Sequence, residues 1–358
     1  MNLIDLGWND YFTEKFAPYG ERGLVPARVV KQQRDRSVLD GGGGEWAGEV
    51  SGKFRHNASG PADYPVAGDW AAVEPPRGGP ALIQAVLTRK SVFKRKVAGD
   101  GVEAQVAAAN VDTVFLVTGL DGDFSLRRIE RYMTAAWDGG ASPVVVLNKA
   151  DLRDDLDKLL VEVERIAPGT PVVATSALGV GRLEALRPYL VPRTTIALLG
   201  SSGVGKSTLI NRLLGEDRLR TAPVIDADGR GRHTTTGREL VVLPNGTLLI
   251  DTPGMRELQL WADEESLGRS FEDIERLASG CRFADCSHVN EPDCAVRAAV
   301  AAGALDPARL ESWFKLGKEL RYLALKQDVR ARRESERAFS RRVATYLKEA
   351  YKNRRGDS

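Results

Sequence analysis

The stretch TIALLGSSGVGKSTLINRLL, from Thr195 to Leu214, admits very few folds. An apolar β-type run feeds directly into Gly200-Ser201-Ser202-Gly203-Val204-Gly205-Lys206-Ser207, and Thr208 continues into a helix-compatible segment. A strand, a glycine-rich loop and a helix opened by Lys-Ser make one arm of a βαβ unit, and that unit needs parallel neighbours. The chain supplies them as VDTVFLVTGL (111–120), SPVVVLNKAD (142–151), TPVVATSAL (170–178) and GTLLIDTPG (246–254). Continuous Val/Leu/Ile runs of this kind belong to strands buried on both faces, so an α/β sheet covered by helices is expected over 106–264. The order is unusual, because NKAD lies upstream of the glycine loop.

Each motif implies a chemistry. Backbone N–H groups of Gly200, Ser201, Ser202, Gly203, Val204 and Gly205 would curl around phosphates, with the helix start adding positive dipole. Lys206 would reach the β- and γ-phosphates, Ser207 would ligate Mg²⁺, and Thr208 lies in the same first turn. In DTPG, Asp251 would hold Mg²⁺ through water and the Gly254 amide would sense the γ-phosphate. In NKAD, the Asp151 carboxylate can accept from guanine N1–H and its 2-amino group, donors that adenine lacks there. Lys149 would lie over the base, and Asn148 would tie this loop to the phosphate loop. Ser176-Ala177-Leu178, after the next strand, matches a loop whose backbone N–H meets guanine O6.

The segment DADGRGRHTTTGREL (226–240) is rich in Gly and Thr and is expected to be a switch loop that folds around Mg²⁺ and the γ-phosphate. One of Thr234, Thr235 and Thr236 supplies the Mg²⁺ ligand, and spacing leaves the choice open. Met255 stands just after D-x-x-G, where a water-orienting Gln is common. Methionine cannot orient water, so His233 in the switch loop is the catalytic candidate, and slow intrinsic hydrolysis is expected.

Flanking segments differ in texture. Residues 1–22 suggest an amphipathic leader with Leu3, Leu6, Tyr11 and Phe12 as anchors. Over 23–105, short β-type runs are punctuated by Gly and Pro, which suggests a small barrel. A five-strand OB-like barrel fits the length; periodicity alone leaves an SH3-like barrel open. Over 265–358 the chain reads as helix and loop. Cys281, Cys286, His288 and Cys294 make a C-x4-C-x-H-x5-C cluster holding all three cysteines, a closed set for one structural Zn²⁺. From Lys315 to Arg355 there are 14 Lys+Arg against 5 Asp+Glu, while the remainder holds 37 against 44. A basic tail on an otherwise acidic chain points to a polyanionic partner. The N-terminus has no secretory pattern and no run approaches membrane-span length, so a cytoplasmic protein with no membrane partner is expected.

The motif order NKAD, SAL, GSSGVGKS, GRHTTT, DTPG and then C-x4-C-x-H-x5-C resembles the ribosome small subunit-dependent GTPase A family. The likeness runs from about residue 24 to 330 and includes RKSVFKRKVAGDGVEAQVAAANVD (89–112). It implies an OB-fold RNA-binding domain, a circularly permuted GTPase domain and a mainly helical zinc-binding domain with a basic tail. It also implies that Thr235 is the switch ligand for Mg²⁺, that His233 serves hydrolysis, and that an apolar residue at Met255 is normal. The implied partners of a monomer are GTP and GDP, the 30S ribosomal subunit and its 16S rRNA, late in subunit maturation. Two other functions fit the motifs: an RNA-binding chaperone whose GTP site only gates affinity, and a GTPase serving another RNA such as tRNA.

Overall fold

A computed structural model describes residues 1–33, 36–96, 104–122, 124–177, 183–218, 238–251 and 264–323. The short runs after residue 23 form β1 (Val25–Gln33), β2 (Arg36–Asp40), β3 (Glu45–Val50), β4 (Trp70–Glu74) and β5 (Ala81–Val86). Their order is β1-β2-β3-β5-β4, and β4 pairs back onto β1, so these five strands close on themselves. That closure, with the β3–β5 pair parallel, is the OB-type barrel. Ala27, Val29, Leu39, Ala71, Val73, Ala81 and Ile83 fill it, small residues letting the strands approach closely. α2 (Gly52–Asn57) follows β3 and is capped by the Ser51 hydroxyl, which accepts from the Phe54 N–H at 3.1 Å.

The leader is part of this unit. α1 (Asp10–Gly20) is capped by Asn9, and its apolar face covers the barrel. Leu6 and Phe12 are buried against Trp70, with Leu3 and Tyr11 packed at the margin. Arg28, fully buried, joins three segments. Its Nη1 donates to the Leu6 carbonyl, its Nη2 donates to Thr195 Oγ1 at 2.8 Å, and its guanidinium lies 5.4 Å from the Trp70 ring centroid. Burial lowers its pKa to about 10, against the pull of Asp112 and Asp69.

A separate hairpin, β6 (Val92–Lys96) with β7 (Ala104–Ala109), connects the barrel to the α/β domain, so residue 105 lies within a paired strand. Next come β8 (Thr113–Gly119), α3 (Leu126–Asp138), β9 (Ser142–Asn148), α4 (Leu156–Ile166), β10 (Val172–Ala174), β11 (Thr195–Leu199), α5 (Lys206–Leu214), β12 (Arg238–Val242) and β13 (Leu248–Asp251). The strand order is β10-β9-β8-β11-β13-β12, parallel except for β12. Apolar clusters on both faces show why these strands read as unbroken hydrophobic runs. β12 also pairs with β1 of the barrel, Lys31 opposite Glu239 and Gln32 opposite Arg238, so barrel and domain share one eleven-stranded sheet.

The end of the expected switch loop is therefore strand, since 238–240 belong to β12. Arg238 hid it from sequence reasoning. Its side chain is buried, donating to the Val106 carbonyl at 2.7 Å and to Gln32 Oε1 at 3.1 Å. A charged residue so satisfied occupies a core position that pattern alone would assign to a loop.

The C-terminal region holds α6 (Glu264–Ser270), α7 (Glu272–Ala278), α8 (Ala295–Ala301) and α9 (307–323). Phe271, Ile274, Val296, Leu305, Leu310, Leu316 and Leu320 form its core. It joins the α/β domain through a buried ionic network. Arg309 is bidentate on Asp273 at 2.6 Å and donates to Glu130 of α3 at 2.8 Å, while the Ser312 hydroxyl donates to the other Glu130 oxygen at 2.6 Å. Burial raises the Glu130 pKa; the bonds from Ser312 and Arg309 oppose that rise.

Candidate functional site

The register of the parallel strands gathers the motifs at one edge of the sheet. Gly119 of β8 lies opposite Asn148 of β9, Leu147 opposite Ala174 of β10, and Leu199 of β11 opposite Leu116 of β8. The carboxyl ends of parallel strands form the crevice where α/β folds hold ligands. Gly200–Gly205 leaves β11 into that crevice and turns into α5, whose first residues are Lys206, Ser207 and Thr208. Lys206 Nζ donates to the carbonyls of Gly200 (2.6 Å) and Ser201 (2.5 Å), which holds the ammonium inside the loop.

Two glycines are required by contact. A Cβ on Gly205, where φ is +95°, would run into Asn148 Nδ2, and one on Gly200 would run into the Val117 carbonyl oxygen. The loop thus lies directly against the ends of β8 and β9.

Asn148, only 1% exposed, is the bridge. Its Nδ2 donates to the Val204 carbonyl at 2.8 Å, and its Oδ1 accepts the Ala177 N–H at 3.1 Å. One side chain therefore joins the glycine loop to the Ser176-Ala177 loop; the sequence suggests only a tie between the NKAD loop and the glycine loop. Lys149 follows with a left-handed φ of +63°, and Asp151, in the turn Ala150–Leu152, is exposed. Ser176 is buried just past β10, and Asp251 ends β13, next to β11. Leu178, His233, Thr235, Gly254 and Met255 lie outside the described residues.

Two side chains at this edge escaped sequence reasoning. Asp121, just beyond β8, is ion-paired with Lys149 Nζ. Arg128 of α3 reaches the loop, its Nη1 donating to Ser201 Oγ at 2.9 Å. Position past a strand's carboxyl end was the available signal for Asp121; Arg128 had none, because a charged residue on a helix is usually solvated.

The second cluster is geometric. One donor atom from each of Cys281, Cys286, His288 and Cys294 lies within 4.8 Å of the others. His288 Nδ1 is 3.6 Å from Cys281 Sγ and 3.5 Å from Cys294 Sγ, and those sulfurs are 3.9 Å apart. Tetrahedral bonds of about 2.3 Å to sulfur and 2.0–2.1 Å to nitrogen give edges of about 3.8 Å and 3.6 Å, so three thiolates and an imidazole fit one four-coordinate ion. His288 and Asp293 have left-handed φ values of +60° and +57°, and the Glu291 carboxylate ties the turn by accepting the Ser287, Val289 and Asn290 N–H groups. Those bonds, led by the Ser287 hydroxyl, lower the Glu291 pKa to about 2.

A guanine-type box upstream of a phosphate loop, on a sheet that keeps the usual neighbours, defines a circularly permuted P-loop GTPase. The comparisons agree. Residues 86–261 match the family model described as RsgA GTPase. A protein of Opitutus terrae named small ribosomal subunit biogenesis GTPase RsgA is 49% identical over 348 residues, 94% of this chain and 95% of its own length. One of the same name from Syntrophotalea carbinolica is 43% identical over 340 residues, covering 92% and 93%. The crystal structure of YjeQ from Thermotoga maritima superposes with a TM-score of 0.63 at 29% identity, over 83% of this chain and 98% of that one. The chain belongs to the RsgA GTPase family and is a GTP hydrolase.

Proposed function

We propose that this protein is a cytoplasmic GTPase that acts in maturation of the small ribosomal subunit, binds 16S rRNA and is stimulated by the 30S particle. The observation that carries the nucleotide half is the Asn148 bridge, which brings the base-reading and phosphate-holding loops together. Asp151 takes the guanine edge, Lys149 covers the base, and the Ser176-Ala177-Leu178 loop meets O6. The N–H groups of Gly200–Gly205 and the Lys206 ammonium take the phosphates, with Thr208 in the supporting turn. Ser207 and Thr235 would ligate Mg²⁺ and Asp251 would hold it through water; the ion would supply positive charge against the phosphate oxygens. His233 orients the attacking water, and the Gly254 amide registers the γ-phosphate. Zn²⁺ on Cys281, Cys286, His288 and Cys294 is structural, since four protein ligands leave no open position.

The ribosomal half rests on the names of relatives matched over nearly their whole length, on the OB-type barrel, and on the basic sequence of 315–355, which beyond 323 lies outside the described residues. The test is GTP turnover by the purified chain alone and with 30S subunits, 50S subunits or tRNA. Stimulation by 30S alone supports the proposal. Stimulation by tRNA alone moves the target to another RNA, and tight GTP binding with no stimulation favours a nucleotide-gated RNA chaperone, a role compatible with Met255.

A further inference from the structure

The nucleotide motifs do not account for the arginines of α3. Arg127, Arg128 and Arg131 lie in its first two turns with Glu130 among them. Residues 127, 130, 131 and 134 share a helix face by their spacing, and that face meets the C-terminal region. Arg127 Nη2 is 2.6 Å from Glu311 Oε2, and Arg131 is bidentate on Glu319 at 2.8 and 3.0 Å. Glu130 is the buried partner of Arg309. α6 packs along the same helix, with Arg269 stacked 6.0 Å from the Trp137 ring centroid. Arg128 is turned about 100° from Arg127 and reaches the Ser201 hydroxyl instead.

Ser201 is held twice. Its hydroxyl accepts from Arg128, and its carbonyl accepts from Lys206, the residue meant for the phosphates. Any tilt of α3 relative to β11 therefore acts on the first turn of the loop, where the lysine is anchored. A charge-assisted bond in a half-buried setting is stronger than its exposed counterpart, and the planar guanidinium transmits direction as well as charge.

We propose that Arg128 is a positioning residue of the GTP site. Through Ser201 it fixes the entry turn of the phosphate loop, and through α3 it links that turn to the C-terminal region. Displacing that region from α3 loosens the loop's hold on nucleotide. The inference rests on the reading that 200–208 holds the phosphates, and the experiment separates the two.

The assay is dissociation of a fluorescent GDP from the full chain, with kcat, KM for GTP and thermal melting measured alongside. Lys206→Ala tests the underlying reading: if it retains GDP like the parent, the loop is not the phosphate site. With that loss established, Arg128→Ala is expected to release GDP roughly tenfold faster, as is Ser201→Ala, and the double variant no faster than the faster single one. KM should rise more than kcat falls, and Arg128→Lys should recover part of the retention. Glu319→Gln should speed release severalfold in the parent and leave the Arg128→Ala variant unchanged. The melts and the lysine variant distinguish misfolding from lost positioning. GDP release at the parental rate in Arg128→Ala, or multiplicative rates in the double variant, would overturn the positioning role. An equal effect of Glu319→Gln in both backgrounds would overturn the link through α3.

Discussion

Asn148→Ala is the substitution whose effect the structure specifies best. The side chain is buried and makes two bonds, one to each of the loops that must close on GTP. Removing it strands the Val204 carbonyl and the Ala177 N–H, and a buried polar group left unpaired costs about 1–3 kcal/mol. Water entering the space relieves part of this, so about 2–4 kcal/mol is a reasonable total for the pair. Without the bridge the free loops separate, and binding must draw them back together, so most of that cost falls on affinity. Equilibrium titration with a fluorescent GDP should then show Kd rising roughly 30- to 1,000-fold, since about 1.4 kcal/mol is a factor of ten. Asn148→Asp keeps the acceptor for Ala177 but opposes the Val204 carbonyl with negative charge, so it should bind no better than the alanine variant. A folded Asn148→Ala protein that binds GDP within threefold of the parent would show that the bridge is structural only, and the reasoning would be wrong.

Asp151→Ala should abolish the parent's preference for GTP over ITP, which lacks the 2-amino donor; the parental ratio should be roughly ten- to a hundredfold, read from competition against fluorescent GDP. Chelation of the metal, or Cys294→Ser, should lower the melting temperature and expose the α6–α9 region to protease while leaving barrel fragments intact, because the cluster ties together segments with little regular structure between α7 and α8. Arg309→Met should cost about 3–5 kcal/mol, seen in denaturant titration, because it removes the partner of the buried Glu130 carboxylate and of the half-buried Asp273.

Much of the fold was legible because its signals are local. The glycine loop, the apolar strand runs and the Gly/Pro-punctuated β segments each fix geometry over a few residues. The candidate metal cluster was legible because four residues of two rare types, three Cys and one His, fall within fourteen positions. What stayed hidden depends on contacts between distant segments. Nothing in the hairpin sequence 92–109 announces that Arg238 donates to Val106, and β12 looked like the end of a loop for that reason. Arg28 likewise reads as a charged strand residue, yet it is buried where leader, barrel and β11 meet. Asp121 and Arg128 belong to the same class: each becomes part of the site only when the sheet brings β8 and α3 beside the phosphate loop.

The permuted order also has a mechanical consequence. In this chain the strand between the switch segment and D-x-x-G, β12, is the one paired to the barrel, at Lys31–Glu239 and Gln32–Arg238. The helix that opens the C-terminal region, α6, packs on α3, and α3 touches the phosphate loop through Arg128. Each flanking domain thus holds an element adjoining the nucleotide edge, by backbone pairing on one side and by ion pairs on the other. Had the chain begun at β11, as in an unpermuted order, β8 and β9 would follow β13 and the C-terminal region would leave from the base-reading side. With the base-reading strands placed first, β13 ends at Asp251 and the next described element is α6, so the D-x-x-G stretch falls in the chain between the sheet and the C-terminal region.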